Sequence, residues 1–224
     1  VGPRKTTTRE RLITTAAELF QRQGYAQTGV NQIIQAANAT SGSFYHFFPA
    51  KEDLLLAVVG HMAEVFETEI FTPAAERSAD PVQRIFAILD LYRGHLEVDG
   101  FTFGSPMAAL SAEVSENLPE VRARLAEIFA QWTDHIEALL DDAGDRLPHT
   151  VDRTTLAELI VCAMEGAVLG TRLNRTFGPF DAAVAQLRAY LDLLANPTES
   201  IATVAVARRP TSVTPSQSAD WRSW

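Results

Sequence analysis

From Thr8 almost to Leu194, apolar residues return at three- and four-residue steps, and no stretch alternates apolar and polar side chains with the period of two that a half-buried strand needs. Leu12, Ile13, Ala16, Leu19 and Phe20 form a first stripe that stops at Gly24, a residue suited to the end of a helix. Val30, Ile33, Ile34 and Ala37 form a short second stripe, which Thr28 can cap and which ends near Asn38, where a left-handed turn is tolerated. A third short helix is expected from Thr40 or Ser41. Pro49 then opens a longer one through Leu54, Leu55, Val58, Met62, Val65 and Phe66. Further stripes follow Asp80-Pro81, Pro119 and Asp152, and a last helix spans roughly Phe180 to Leu194 before Asn196-Pro197. The fold class is therefore all-α. A head of three short helices, residues 1–48, is joined through a fourth to a helical body, residues 49–196. Residues 197–224 are rich in Thr, Ser, Pro and Ala, and composition favours a mobile tail; docking of Trp221 and Trp224 on a groove is the other reading.

At 224 residues and 46% hydrophobic the chain can bury a substantial core. Its formal net charge of −9 argues against a nucleic-acid partner until the charges are located. Up to Lys51 the cations are Arg4, Lys5, Arg9, Arg11, Arg22 and Lys51 against Glu10 and Glu18, so the head is basic and the body acidic. Such asymmetry points to an anionic partner for the head alone. A single cysteine, Cys162, excludes a disulfide framework, and no apolar run approaches the length of a bilayer span. No membrane role is expected, and the cytoplasm is the expected location.

The head holds the run Phe44-Tyr45-His46-Phe47-Phe48, which no single helical face can bury, because successive residues point about 100° apart. Phe44 and Phe48 share a face and, with Phe47 beside them, are expected to pin the third helix to Leu19, Phe20 and Ile33. Tyr45 and His46 project outward. Two short helices with a tight turn at Asn38-Ala39 have the spacing of a helix-turn-helix. The small polar start of the second, Thr40, Ser41, Gly42 and Ser43, suits close approach to a phosphate backbone and to base edges. Lys51 is placed for a phosphate.

These residues resemble a known family. The stretch TRERLITTAAELFQRQGYAQTGVNQIIQAANATSGSFYHFFPAKEDLL is similar to the N-terminal DNA-binding domain of TetR-family transcriptional regulators, through Ala-Ala-x-Leu-Phe-x-x-x-Gly-Tyr, Thr28 with Val30 and Ile33, and Gly-Ser-Phe-Tyr-His-Phe-Phe-Pro-Ala-Lys-Glu-Asp-Leu-Leu. Asn38 stands where the family usually has Gly. The resemblance implies phosphate contact from Thr28, Tyr45 and Lys51, and base or near-base contact from Thr40, Ser41, Gly42, Ser43 and His46. Further on, GSPMAALSAEVSENLPEVRARLAEIFAQW resembles an LmrA-like subset, with Ser105 where Cys is common. That implies a ligand-sensing, dimerising body whose last two helices pair across a two-fold axis, and double-stranded DNA with a palindromic operator as partner.

A small-residue seam, Ala163, Gly166, Ala167 and Gly170, offers close packing to another helix, either in a second copy or in the same chain. With Leu159, Leu187 and Leu191 it makes up the expected homodimer interface. Phe66, Phe86, Tyr92, Phe103, Met107, Trp132 and Met164, with the polar His135 and Glu165, are candidate walls of a small-molecule pocket; plain core packing competes for each aromatic. Glu165 can instead face solvent or pair with Arg172. The implied inducer is largely apolar with one polar or cationic handle. No His-Glu-x-x-His, Gly-x-Ser-x-Gly, phosphate-loop or dinucleotide pattern occurs, and the five histidines lack metal-ligand spacing. Neither an enzyme nor a cofactor is expected; a helical small-molecule binder or enzyme that kept this fold without regulating DNA is the competing class.

Overall fold

The computed structural model describes residues 6–98, 105–114 and 118–196. Phe101, Phe103, Gly104 and the whole of the expected tail, with its two tryptophans, lie outside the described residues. Ten α-helices occur among those described, and no strand.

Helix α1 (Thr8–Gln23) starts on a reciprocal cap: the Glu10 N–H donates to the Thr7 hydroxyl at 3.1 Å and the Thr7 N–H to the Glu10 carboxylate at 2.7 Å. It stops at Gly24, whose φ of +87° few other residues adopt. The short helices α2 (Val30–Ala36) and α3 (Ser41–Phe47) follow, with Asn38 in the left-handed region at φ 48° as the turn demands. Phe44, Leu12 and Ile33 are fully buried where the three helices meet. Burying each such side chain stabilises the head by roughly 1.5–3 kcal/mol.

Two expectations in the head need correction. Thr28 does not cap α2; Gly29 holds that position, and the buried Thr28 hydroxyl donates instead to the Gly24 carbonyl at 2.6 Å. Phe47 is not core. It is 37% exposed, because α3 ends at this residue and the chain turns away before a fourth turn can cover it.

Helix α4 (Lys51–Phe66) begins after Pro49, with the Asp53 carboxylate accepting the Ala50 N–H at 2.8 Å. One of its sides packs on α1. The other packs on the long body helix α8 (Pro119–Asp142), so α4 belongs mechanically to both halves. A π-helical stretch, Glu67–Phe71, continues α4 into α5 (Thr72–Arg77). Its wider turn sends Ile70 and Phe71 inward together.

The body then adds α6 (Pro81–Val98), α7 (Pro106–Glu113), α9 (Arg153–Asn174) and α10 (Gly178–Ala195). Asp80 and Asp152 cap their helices, accepting from the Gln83 and Thr155 N–H groups at 3.0 Å each. A single 3₁₀ turn, Gly144–Arg146, follows α8. Helices α8, α9 and α10 pack in sequence, with α6 against α8 and α10.

Candidate DNA-binding head and ligand cavity

In α3 the Thr40 hydroxyl accepts the Ser43 N–H and the Ser43 hydroxyl accepts the Thr40 N–H, both at 3.1 Å. The Ser43 hydroxyl also donates to the Thr40 carbonyl at 2.8 Å, and the two hydroxyls lie 3.1 Å apart. This cap fixes a seven-residue helix too short to hold itself. Thr40, Ser41 and Gly42 are exposed at its start, and Tyr45 and His46 are exposed along it, Tyr45 at 57%. The outward pair is thus where the sequence put it, on a helix pinned by Phe44 and Phe48.

Lys51 lies beside this surface under restraint. Its ammonium donates to the Tyr25 carbonyl at 2.6 Å and sits 3.9 Å from the centre of the Tyr25 ring. Burial lowers its pKa, against the raising effect of Glu52 and Glu113. The Tyr25 phenol, pushed up to about 12 by burial and by Glu52, donates to Glu52 at 3.2 Å. Thr28 can meet a phosphate only through groups other than its inward-turned hydroxyl.

Periodicity did not reveal α7, yet it ties the halves together. Glu113 at its end accepts the Ala26 N–H at 2.8 Å, across 87 residues of sequence. A Cβ on Gly24 would stand 2.8 Å from the same carboxylate, the movable end of a long side chain, so it is chiefly the positive φ that favours glycine there. At the other end of α7, Ser105 caps the helix by accepting the Ala108 N–H at 3.2 Å, and Pro106 and Met107 face a cavity.

That cavity has a volume of about 270 Å³ and lies between α1 of the head and helices α4, α6, α7 and α8. Of the candidate pocket residues, Phe66, Tyr92, Met107 and Trp132 line it, with Phe66 and Trp132 stacked at 4.0 Å. Thr14, Glu18 and Gln21 of α1, with His61 and His95, give it a polar mouth that the sequence did not signal. Phe86 and His135 are absent from its walls. Phe86 is covered by the Arg188 guanidinium at 3.7 Å, and the half-buried His135 stacks on Phe71 at 4.1 Å, with its pKa lowered by burial. Met164 lies behind Phe66 and Trp132, lining a small void they share.

Glu165 lines a second, more open cleft, whose volume is about 420 Å³ and which shares Met107 with the first. Rather than reaching Arg172, it turns inward: its carboxyl is coupled electrostatically to the Tyr92 phenol, and burial raises both pKa values. Ser105 and Tyr92 partly oppose that rise on Glu165. Neither Tyr92 Oη nor Glu165 Oε1 meets hydrogen-bond geometry with any partner, although both atoms are buried. A buried polar group in that condition costs about 1–3 kcal/mol.

The expected dimer surface divides. Ala167, Leu187 and Leu191 are buried within this one chain, and a Cβ on Gly170 would stand 2.9 Å from Pro179 of α10. Ala163 is partly buried in the same core, so much of the small-residue seam serves the α9–α10 contact. Leu159 and Gly166 face outward with Cys162, Leu169 and Leu173 on one stripe of α9, and Leu173 is 73% exposed. Among the described residues no three His, Cys, Asp or Glu side chains are grouped to hold a metal ion, and no helix is long and apolar enough to cross a membrane.

A helix-turn-helix with an outward second helix, fused to a larger helical body, defines a class of DNA-binding regulators. Residues 12–58 match the family of bacterial regulatory proteins called tetR, and residues 81–186 match the LmrA/YxaF-like transcriptional regulator C-terminal domain. The chain belongs to the TetR family of transcriptional regulators. It is 32% identical over 190 residues to an HTH-type transcriptional regulator of Mycobacterium tuberculosis H37Rv, covering 82% of this chain and 93% of that one. It is 31% identical to the HTH-type transcriptional regulator LmrA of Bacillus subtilis strain 168, covering 72% and 84%. Identity to the HTH-type transcriptional repressor DhaR of Mycobacterium sp. GP1 is 25%, over 79% and 88% of the two chains. Among solved structures, a TetR transcriptional regulator from Chloroflexus aurantiacus superposes with a TM-score of 0.74 at 31% identity, covering 83% of this chain and 94% of that one. A TetR protein from Rhodobacter sphaeroides gives 0.75 at 25%, with coverage of 81% and 97%. The chain is a transcriptional regulator and not an enzyme.

Proposed function

We propose that this regulator is a repressor that binds a palindromic operator as a homodimer and is released by a small, largely apolar inducer. The observation that carries the reading is the position of the cavity, which has α1 of the DNA-binding head as one wall and α4, α6, α7 and α8 of the body as the others. An occupant touches both halves at once. By favouring one body conformation it changes the position of α4, and with it the separation of two heads in a dimer. The name of the similar DhaR supports repression as the sign of regulation. Such a protein works where the chromosome is, in the cytoplasm.

The roles in the head follow the resemblance: Tyr45 and Lys51 on phosphates, with Thr28 contributing nearby, and Thr40, Ser41, Gly42, Ser43 and His46 at or near bases. The dimer is carried by the exposed stripe of Leu159, Cys162, Gly166, Leu169 and Leu173, on which a second copy can bury apolar surface otherwise left in water. Leu169→Glu with Leu173→Glu is expected to halve the native mass and abolish tight operator binding.

Selecting bound sequences from random duplex DNA supplies the operator for the central test. An inducer must bind free protein more tightly than operator-bound protein, since coupling between the two sites is reciprocal. Equal affinity for both forms overturns release by ligand.

A further inference from the structure

The geometry points to an inducer that carries a protonated nitrogen on an aromatic or apolar frame, its cation seated between Glu165 and Tyr92. This deepens the proposed function and rests on reading the cavity as the inducer site.

Glu165 on α9 and Tyr92 on α6 each present a buried oxygen with no hydrogen-bond partner, at the wall between the two cavities that share Met107. Tyr92 is 3% exposed. The Tyr92 phenol and the Ser105 hydroxyl are neutral donors beside the carboxyl, so what an ionised Glu165 lacks there is an opposite charge. The groups that act on the Glu165 charge are Ser105 and Tyr92, and no cation is among them. Arg122, on α8, lines the outer part of the same cleft but is exposed and engaged in an interaction of its own. Inside, the nearest large surfaces are aromatic. The Tyr92 ring meets the edge of Phe66 at 5.2 Å, and Phe66 stacks on Trp132. Ring faces carry negative electrostatic potential, so the walls favour the same sign of ligand as the carboxylate does.

A neutral ligand donor could bond to Glu165 but would leave a buried negative charge uncompensated or the acid protonated. An ammonium supplies the donor and the opposite charge together. Burial works against ionisation of Glu165, and a cation seated beside it works in favour. No covalent bond between protein and ligand forms.

Three probes of one shape separate the possibilities: 1-naphthylmethylamine, 1-naphthylmethanol and 1-methylnaphthalene. They differ in carrying a cationic donor, a neutral donor or none. Titration of the full chain near pH 7, followed by calorimetry, is expected to show the amine binding at least tenfold tighter than either neutral probe. Glu165→Gln should erase the preference while leaving 1-methylnaphthalene binding unchanged, and Tyr92→Phe should weaken the amine severalfold. Equal binding of amine and alcohol, survival of the preference in Glu165→Gln, or no binding by any probe overturns the cation assignment. The operator provides a separate reading. If the amine binds with the stated preference but leaves operator affinity untouched, the cation site stands and the ligand-release reading of the protein falls.

Discussion

The head and the body solve opposite packing problems. In the head, Phe44, Leu12 and Ile33 close the core completely, and the buried Thr28 hydroxyl and the restrained Lys51 ammonium all find partners. Where the body meets α1 a cavity persists between helices, and all the buried side-chain oxygens without partners among the described residues, on Tyr92, Glu165 and Thr171, belong to the body. A module that must match a rigid duplex gains from having one shape. On the proposed reading, the body changes shape when a small molecule arrives and keeps groups that such a ligand can meet.

The contrast can be broken most forcefully at Phe44. Phe44→Ala should cost roughly 3–5 kcal/mol, read as a lower midpoint in chemical denaturation, because the closed head cannot collapse around the cavity it leaves. Operator binding should go with it. Glu165→Gln should act in the opposite direction above the ordinary carboxylate range, raising stability there, since it removes a group whose ionisation burial opposes. Its pH dependence sharpens the point. Burial raises the Glu165 pKa, so the folded protein holds that proton more tightly than the unfolded chain; the stability this contributes is complete below the ordinary carboxylate range and is lost as pH rises through the folded value. Denaturation of wild type and variant across pH should therefore diverge upward from that range, with the variant the more stable. Parallel profiles would falsify the burial of an uncompensated carboxyl.

On the head's surface, Lys51→Ala should weaken operator binding about tenfold, near 1.4 kcal/mol, and lower the slope of log affinity against log salt by about 1. Tyr45→Ala should weaken binding without altering stability, because its ring is more than half exposed. His46 substitutions should change which sequence is preferred more than how tightly salt-sensitive contacts hold. The smallest effect is expected at the junction. Glu113→Gln should cost about 1 kcal/mol or less and show chiefly as faster hydrogen exchange at the Ala26 amide; unchanged exchange there would remove α7 as a tie between the halves.

Much of this was legible because helical register is local. Phe44, Tyr45 and Phe48 divide between core and surface by spacing alone, and Gly24 and Asn38 announce left-handed turns by residue type. Phe47 misled, since register says nothing about where a helix end leaves a ring uncovered. Helix α7 and the π-helical stretch stayed hidden for a different reason: Met107, Ala108, Ala109 and Leu110 crowd together without a stripe, and a π-turn breaks the period that reveals helices. The seam of Ala163, Ala167 and Gly170 reads the same to a helix of its own chain as to a helix of another. Packing against Pro179 uses it internally, while Leu169 and Leu173, one step around α9, take the outer face. Of the candidate pocket, Phe66, Tyr92, Met107 and Trp132 came together, but Phe86 and His135 found neighbours on other faces, which periodicity cannot foresee.

The reciprocal cap at the start of α3 sets a limit on how this protein can read DNA. A hydroxyl offers one proton and two lone pairs. Ser43 gives its proton to the Thr40 carbonyl and accepts the Thr40 N–H, with the Thr40 hydroxyl alongside; Thr40 accepts the Ser43 N–H. Little of either hydroxyl is left for a base without loosening the turn that holds the helix in place. Ser41, exposed and without a hydrogen bond among the described residues, is the one hydroxyl of that turn whose full capacity is open. The vocabulary available to this helix is therefore smaller than its four small residues suggest, and it is concentrated on Ser41 and His46, with Tyr45 left for the phosphate backbone.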